Sequence, residues 1–206
     1  MESLCGKKSR AIDAPALAGY LAGFTDVLID IGTGDGRYVL HHARACPWWF
    51  AIGVDTCREN LRAAARARPC NALFVIAEAQ ALPAELHGLA TRITINFPWG
   101  SLLEGLLEGH AGLLGGLAAA AQPGAALEIR LNGGALAEQG WPLEAGGEQV
   151  RRMLVAHGFL AGQPVLLGAR ALRACPTTWA KRLAFGRDPC GLHLHATLPG
   201  SQSASH

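Results

Sequence analysis

Asp30, Gly32, Gly34, Asp35, Gly36 and Asp55 have the types and spacing to hold a nucleotide-like ligand. The first five fall in the run D-I-G-T-G-D-G, at the junction of an apolar strand and a helix. Glycines there let the backbone pass close to a ligand and take positive φ without a Cβ clash. Asp55 ends the next apolar run, where a carboxylate can accept both hydroxyls of a ribose. That much suits a nicotinamide dinucleotide and S-adenosylmethionine (SAM) alike. The first turn separates them. Asp30 stands before the glycines and Asp35 among them. Two carboxylates repel a pyrophosphate but suit an ammonium and a sulfonium, so SAM ranks ahead as the cofactor.

A second group is Asn96-Phe97-Pro98-Trp99-Gly100-Ser101. Its first four residues have the spacing of the N-P-P-Y motif of amino-methylating enzymes, with Phe and Trp substituted. An enzyme that methylates a base must hold it flat, on an aromatic platform and near hydrogen-bond acceptors. Trp99 supplies the platform; Asn96 and the carbonyls of Phe97 and Pro98 supply acceptors. Between the two groups, Ala79 and Gln80 follow a third strand. Ala79 is placed to pack on an adenine ring and Gln80 to hydrogen-bond it.

A third group spans Ala169 to Arg187, read here as a basic loop. It holds Arg170, Arg173, Lys181, Arg182 and Arg187 and no acid, with Thr177, Thr178 and Trp179 in its middle. Cations that hold phosphates around a ring that stacks on a base fit a nucleic-acid contact. Trp99 and Trp179 together can sandwich an extruded base. Arg58, Arg62 and Arg66, at i, i+4 and i+8, form one stripe on a helix, and Arg68 follows. The stripe is either a solvated face or a phosphate contact.

The elements that must position these groups alternate. Strands are predicted over Val27–Ile31, Phe50–Val54, Leu73–Ile76, Thr91–Asn96 and Ala125–Leu131. Helices are predicted over Ala14–Phe24, Arg37–Ala45, Arg58–Arg66, Leu102–Ala121 with a break near Gly109, and Glu148–His157. Two last strands, Pro164–Gly168 and Gly191–Thr197, read as antiparallel. Alternating strand and helix predicts one α/β domain over residues 1–206. Residues 1–26 read as an N-terminal extension, 132–147 and 169–190 as recognition loops, and 199–206 as a polar tail.

Composition sets the bounds. Half of the 206 residues are hydrophobic (50%) and mean hydropathy is +0.20, which fits a globular chain. No apolar run reaches the length of a membrane span, so no membrane partner is expected. The six cysteines, Cys5, Cys46, Cys57, Cys70, Cys175 and Cys190, are scattered without metal-ligand spacing, so no metal is expected and reduced thiols in the cytoplasm are. His41, His42, His193 and His195 read as structural. The net charge of +2 decides nothing about nucleic acid.

Three blocks together resemble a known family: D-I-G-T-G-D-G-R at 30–37, N-F-P-W-G-S-L-L-E at 96–104 and W-A-K-R-L-A-F-G-R at 179–187. Their order and spacing are similar to those of the aminoglycoside-resistance 16S rRNA adenine-1408 N1 methyltransferases of the KamB/NpmA type. The first block occurs in many methyltransferases, whereas the second and third together are specific. The resemblance implies a single Rossmann-like, class I SAM-dependent methyltransferase fold with a mostly parallel seven-stranded sheet and an antiparallel last strand. It implies SAM held by Asp30, Gly32, Gly34, Asp55, Ala79, Gln80, the Asn96–Ser101 turn, Thr177, Thr178 and Trp179. It implies a flipped adenine clamped by Trp99 and Trp179, positioned by the backbone of Phe97 and Pro98. Arg58, Arg62, Arg66, Arg68, Lys181, Arg182 and Arg187 would face 16S rRNA in the assembled 30S subunit, bound by a monomer. Departures are Gln80 where relatives usually carry Glu, arginines where the docking segment usually carries lysines, and Asp188-Pro189 after Arg187. Two rivals stay open: a SAM-dependent methyltransferase of another RNA, such as a tRNA adenine, and a non-catalytic SAM- or RNA-binding module.

Overall fold

The computed structural model describes residues 1–6, 8–185 and 190–200. The chain begins with two short strands, β1 (Glu2–Cys5) and β2 (Lys8–Ala11), paired antiparallel, followed by helix α1 (Ala14–Leu21). The Asp13 side chain accepts the Ala16 N–H at 2.9 Å and so caps α1. Strand and helix then alternate through β3 (Asp26–Ile31), α2 (Arg37–Ala45), β4 (Trp49–Asp55), α3 (Arg58–Ala67), β5 (Ala72–Ile76) and β6 (Ala90–Asn96). Helices α4 (Gly100–Glu108) and α5 (Ala111–Ala120) lead to β7 (Ala121–Asn132), then α6 (Gly133–Glu138) and α7 (Leu143–Ala156). The chain closes with β8 (Leu160–Ala161), β9 (Val165–Leu167), α8 (Ala169–Ala174), α9 (Thr178–Ala184) and β10 (Gly191–Thr197).

All ten strands form one sheet, in the order β2-β1-β5-β4-β3-β6-β7-β10-β8, with β9 also on β10. The five central strands are parallel, and β10 is antiparallel to β7. β3 is buried on both faces because helices cover both, the usual condition of a central parallel strand. Leu28, Ala51, Phe74, Leu61 and Leu172 pack on the face under α2, α3, α8 and α9. Ile29, Ile52, Ile95, Leu106 and Val150 pack on the other, under α4, α5 and α7. Strand order reverses between β3 and β6, and ligands of such sheets lie outside the carboxyl ends at that point.

Three expectations need correction. The sheet has ten strands among the described residues where seven were expected. β1 and β2 extend the β5 edge, through pairs such as Glu2 with Ile76. The expected strand at 164–168 forms as β9, and β8 adds a further short strand on β10. Residues 132–147 are not a loop: Asn132 caps α6 by accepting the Gly134 N–H at 2.9 Å, and α7 begins at Leu143. Residues 169–185 are not a loop either, since they form α8 and α9, anchored by buried Leu172 and Ala180.

Candidate active site

The turn after β3 is held by its neighbour strand. The N–H groups of Gly32 and Thr33 both donate to the Val54 carbonyl, at 2.8 and 3.0 Å. Gly32, Gly34 and Gly36 all have positive φ. A Cβ on Gly36 would lie 2.6 Å from both Ala64 Cβ and Phe74, so the turn also sits too close to α3 and β5 for a side chain. Asp55 at the end of β4 is clamped by two backbone donors. The Gly34 N–H reaches one carboxylate oxygen and the Cys57 N–H the other, each at 2.8 Å. Each oxygen keeps a second lone pair for a ligand diol.

Asp30 is buried beneath the turn. Thr94 Oγ1 and Asn96 Nδ2 donate to the same Asp30 oxygen at 2.7 and 2.8 Å. Burial pushes its carboxyl up to about 6, against the pull of those hydrogen bonds and of the Arg130 guanidinium. Asn96 is itself oriented by Arg130, whose Nη1 donates to Asn96 Oδ1 at 2.8 Å. Arg130 also pairs with Glu128 at 2.7 Å, and Arg92 pairs with Glu128 from β6. His193 Nε2 lies 3.6 Å from Glu128, an ion-pair distance too long for a hydrogen bond. His193, Arg130 and Arg92 together outweigh burial and hold the Glu128 carboxyl down to about 2. A polar stripe thus runs from His193 on β10 across β7 and β6 and ends at Asp30 on β3.

The turn after β6 carries strain at the site. Phe97 is buried with φ of 54°, in the left-handed region that a bulky residue rarely enters. Its N–H donates to the Arg130 carbonyl at 2.7 Å, which holds the conformation. Pro98 and Trp99 follow, and Trp99 precedes the first turn of α4. The Trp99 indole N–H is buried with no hydrogen-bond partner among the described residues. Trp179, on the first turn of α9, stands against Trp99 with ring centroids 5.2 Å apart and planes tilted by 32°. The Arg182 guanidinium lies 5.2 Å over the Trp179 ring. Thr177 caps α9 by accepting the Ala180 N–H, and Thr178 Oγ1 donates to Asp35 at 2.6 Å. Asp35 therefore ties the glycine turn to the helix that carries Trp179.

These parts enclose one cavity of about 540 Å³. Asp30, Gly32, Gly34, Asp55, Ala79, Gln80, Asn96, Phe97, Pro98, Trp99, Ser101, Thr177, Thr178 and Trp179 all line it, and so does Arg182, which the sequence reading places against RNA. Gly100 does not: it opens α4 with φ of 52° and serves the turn. Two side chains have other duties than expected. The Asn96 amide bridges Asp30 and Arg130 and so orients the carboxylate, with one N–H and one Oδ1 lone pair left over. Gln80 Nε2 donates to the Ser101 carbonyl at 3.1 Å, which leaves Ala79 and the backbone to meet a ring. Arg58, Arg62, Arg66 and Arg68 lie outside the cavity. Arg62 pairs with Glu59 at 2.6 Å, and Arg68 donates to the Ala72 carbonyl at 2.6 Å. Lys181 lines a separate groove. Arg187 is outside the described residues.

Tyr38, Thr56 and Asn60 also line the cavity, and Arg130 lies behind it; all four escaped sequence reasoning. For Arg130 a signal existed. In A-L-E-I-R-L-N, Glu128, Arg130 and Asn132 alternate with Leu127, Ile129 and Leu131, so one strand face is polar although the strand is central.

Volume and charge fit SAM. The cavity is within the range of cofactor sites and is lined by Asp30, Asp35 and Asp55. An ammonium and a sulfonium complement that excess of carboxylate. The fold and site define a Rossmann-like, SAM-dependent methyltransferase. Residues 2–198 match the family described as NpmA, 16S rRNA (adenine(1408)-N(1))-methyltransferase. A relative of that description from Escherichia coli is 32% identical over 202 residues, covering 89% of this chain and 92% of its own. One from Streptoalloteichus hindustanus is 34% identical over 181 residues, covering 80% and 83%. Among solved structures, a tryptophan-to-alanine variant of the 16S rRNA (adenine(1408)-N(1))-methyltransferase from Catenulisporales acidiphilia, with cosubstrate SAM, superposes with a TM-score of 0.85. It is 30% identical and covers 98% of each chain. The antibiotic-resistance methyltransferase Kmr superposes with a TM-score of 0.80 at 34% identity, covering 97% of this chain and 99% of its own. The chain belongs to the 16S rRNA (adenine(1408)-N(1))-methyltransferase family.

Proposed function

We propose that this chain, acting as a single-domain monomer in the cytoplasm, methylates N1 of adenine 1408 in 16S rRNA of the assembled 30S subunit. The modification confers aminoglycoside resistance by placing bulk and positive charge in the drug site. The observation that carries the reading is the Trp99–Trp179 pair at 5.2 Å beside a carboxylate-lined cavity. Bound SAM supplies an electrophilic methyl group on its sulfonium. Asp55 would hold the ribose hydroxyls, Asp30 the ammonium, and Ala79 the adenine face. Trp99 and Trp179 separate to admit the target base and stack on both its faces, recovering part of the cost of unstacking it from the RNA. Adenine N1 has a free lone pair, so no side chain has to remove a proton before it attacks. The strained Phe97–Pro98 turn fixes where the base edge stops. Catalysis on this reading is placement and exclusion of water, which is where the binding energy of the tryptophans is used.

The test is methyl transfer from labelled SAM to 30S subunits, naked 16S rRNA and bulk tRNA, with primer extension to map the product. An N1 methyl blocks Watson–Crick pairing and stops reverse transcriptase. A stop at adenine 1408 on 30S alone supports the reading. Trp179→Ala is expected to lower transfer about 5- to 150-fold, the worth of one lost base stack, while still binding SAM. Label in tRNA, or a stop elsewhere in the rRNA, overturns the substrate.

A further inference from the structure

A second cavity, of about 480 Å³, adjoins the first across α9. Helix α9 turns Trp179 and Arg182 toward the first cavity and Lys181 toward the second. The facing wall is α2, whose Arg37, Leu40, His41 and Arg44 repeat at helical spacing along one stripe, and among the described residues no acid lines the groove. Few of these donors are spent. Arg37 Nε lies 3.2 Å from Asp35, Arg44 Nη2 donates to the Ala67 carbonyl at 3.2 Å, and His41 stands edge-on to His42. A guanidinium has five N–H donors, so each arginine keeps most of its capacity for an anion.

We infer that the α2–α9 groove seats backbone phosphates of the RNA immediately beside the flipped nucleotide, with Arg44, His41 and Lys181 as donors. This rests on the rRNA reading above. One helix width, about 10 Å, separates the groove from the base slot, the span of one or two nucleotides of backbone. The charge is complementary, and the surface is continuous with the site through a single helix. Groove contacts carry no sequence information; they set the register in which the target base meets Trp99 and Trp179.

The test measures binding of the full-length protein to 30S subunits over a salt series, with SAM binding by calorimetry as the control for folding. Arg44→Ala is expected to reduce the slope of log affinity against log salt by about one, and to weaken binding about threefold at the low-salt end relative to the high-salt end. Its KM for 30S rises while kcat at saturating subunits and SAM affinity hold. Arg44→Lys restores the slope, and Arg44→Glu deepens the loss. Arg152→Ala, on α7 across the sheet, leaves the slope unchanged. An unchanged slope in Arg44→Ala, when the wild type binds and methylates 30S, overturns the groove. So does an equal loss in Arg152→Ala, which would mean bulk charge alone. If the wild type instead labels another RNA, the substrate reading falls and the same slope measured on that RNA decides the groove.

Discussion

Acidification should separate two jobs of Asp30. Its carboxyl is pushed up to about 6 by burial, although Thr94 and Asn96 donate to it and Arg130 lies behind. A cationic ammonium is held by the ionised form only. SAM affinity should therefore be flat above about pH 7 and fall by about tenfold between pH 7 and pH 5, as the group takes up its proton. 5′-Methylthioadenosine, which has the nucleoside but no ammonium, should show no such fall. Asp30→Asn should remove the pH dependence and weaken SAM by about 1.5–3 kcal/mol, on the order of 10- to 150-fold, the worth of hydrogen bonds to a charged group. The free protein should respond in the opposite sense. An acid whose folded pKa is raised destabilises the fold as pH climbs from its ordinary value of 3.8 to about 6, and the penalty is complete above that. At 1.36 kcal/mol per unit the shift corresponds to about 3 kcal/mol. Asp30→Asn should thus raise unfolding free energy at neutral pH by up to that amount while losing the ligand. Isothermal calorimetry and urea unfolding across the same pH series measure both. A flat SAM profile in the wild type, or wild-type affinity in Asp30→Asn, would refute the assignment.

The stripe and the turn each carry further predictions. Arg130→Met leaves Glu128 short of a partner and frees Asn96 Oδ1, so urea unfolding should show a loss of about 3 kcal/mol. The midpoint of the SAM pH profile should also move upward, because the charge that lowers Asp30 is gone; Arg130→Lys should recover part of both. Glu128 acts with the opposite sign to Asp30. Its folded carboxyl is held at about 2 by His193, Arg130 and Arg92, so it stabilises the fold above its ordinary value of 4.5 and the gain is lost as pH falls through about 2. Glu128→Gln should flatten the acid limb of stability over that window in a Tm-versus-pH series. Gly36→Ala puts a methyl group 2.6 Å from Ala64 and Phe74 at φ of 71°, and should cost about 2–4 kcal/mol by thermal unfolding, from overpacking and the left-handed backbone together. Gly34→Ala, with open space at its Cβ, should cost about 1 kcal/mol.

What the residues disclosed in advance follows from where each constraint is local. β3, β4 and β6 are short runs rich in Ile, Val and Leu, closed by Gly32, Asp55 and Asn96, so strand and ligand end are written in neighbouring residues. The Trp99 and Trp179 motifs were legible for the same reason. β1 and β2 were not. Four residues of mixed polarity carry no period, and only pairing with β2 and β5 makes Glu2–Cys5 a strand. Glycine misled around 132–147. Gly146 and Gly147 are placed against Leu136 and Leu192, where a Cβ would collide, so here glycine permits close packing of α7 and does not end a helix. Ala169–Ala184 was read from its charge, yet its alanines and leucines favour helix once Leu172 and Ala180 find the sheet.

The polar stripe is the deeper case. Asp30, Thr94, Asn96, Glu128 and Arg130 come from three strands, and their hydrogen bonds exist only in the register that pairs Asp30 with Thr94 and Asn96 with Arg130. No stretch of sequence contains that network, although each strand shows its polar alternation. Such a stripe is costly to bury and would be replaced by apolar residues if stability were its only purpose. On the proposed role of Asp30 as the ammonium's partner, that end point gives the reason it persists. A carboxylate that is fixed in place, poorly solvated and only just ionised at neutral pH meets an incoming ammonium more strongly than a solvated one does. The destabilisation carried by the free protein is released when the ligand arrives. Stability gained and affinity lost in Asp30→Asn would be the two halves of one effect.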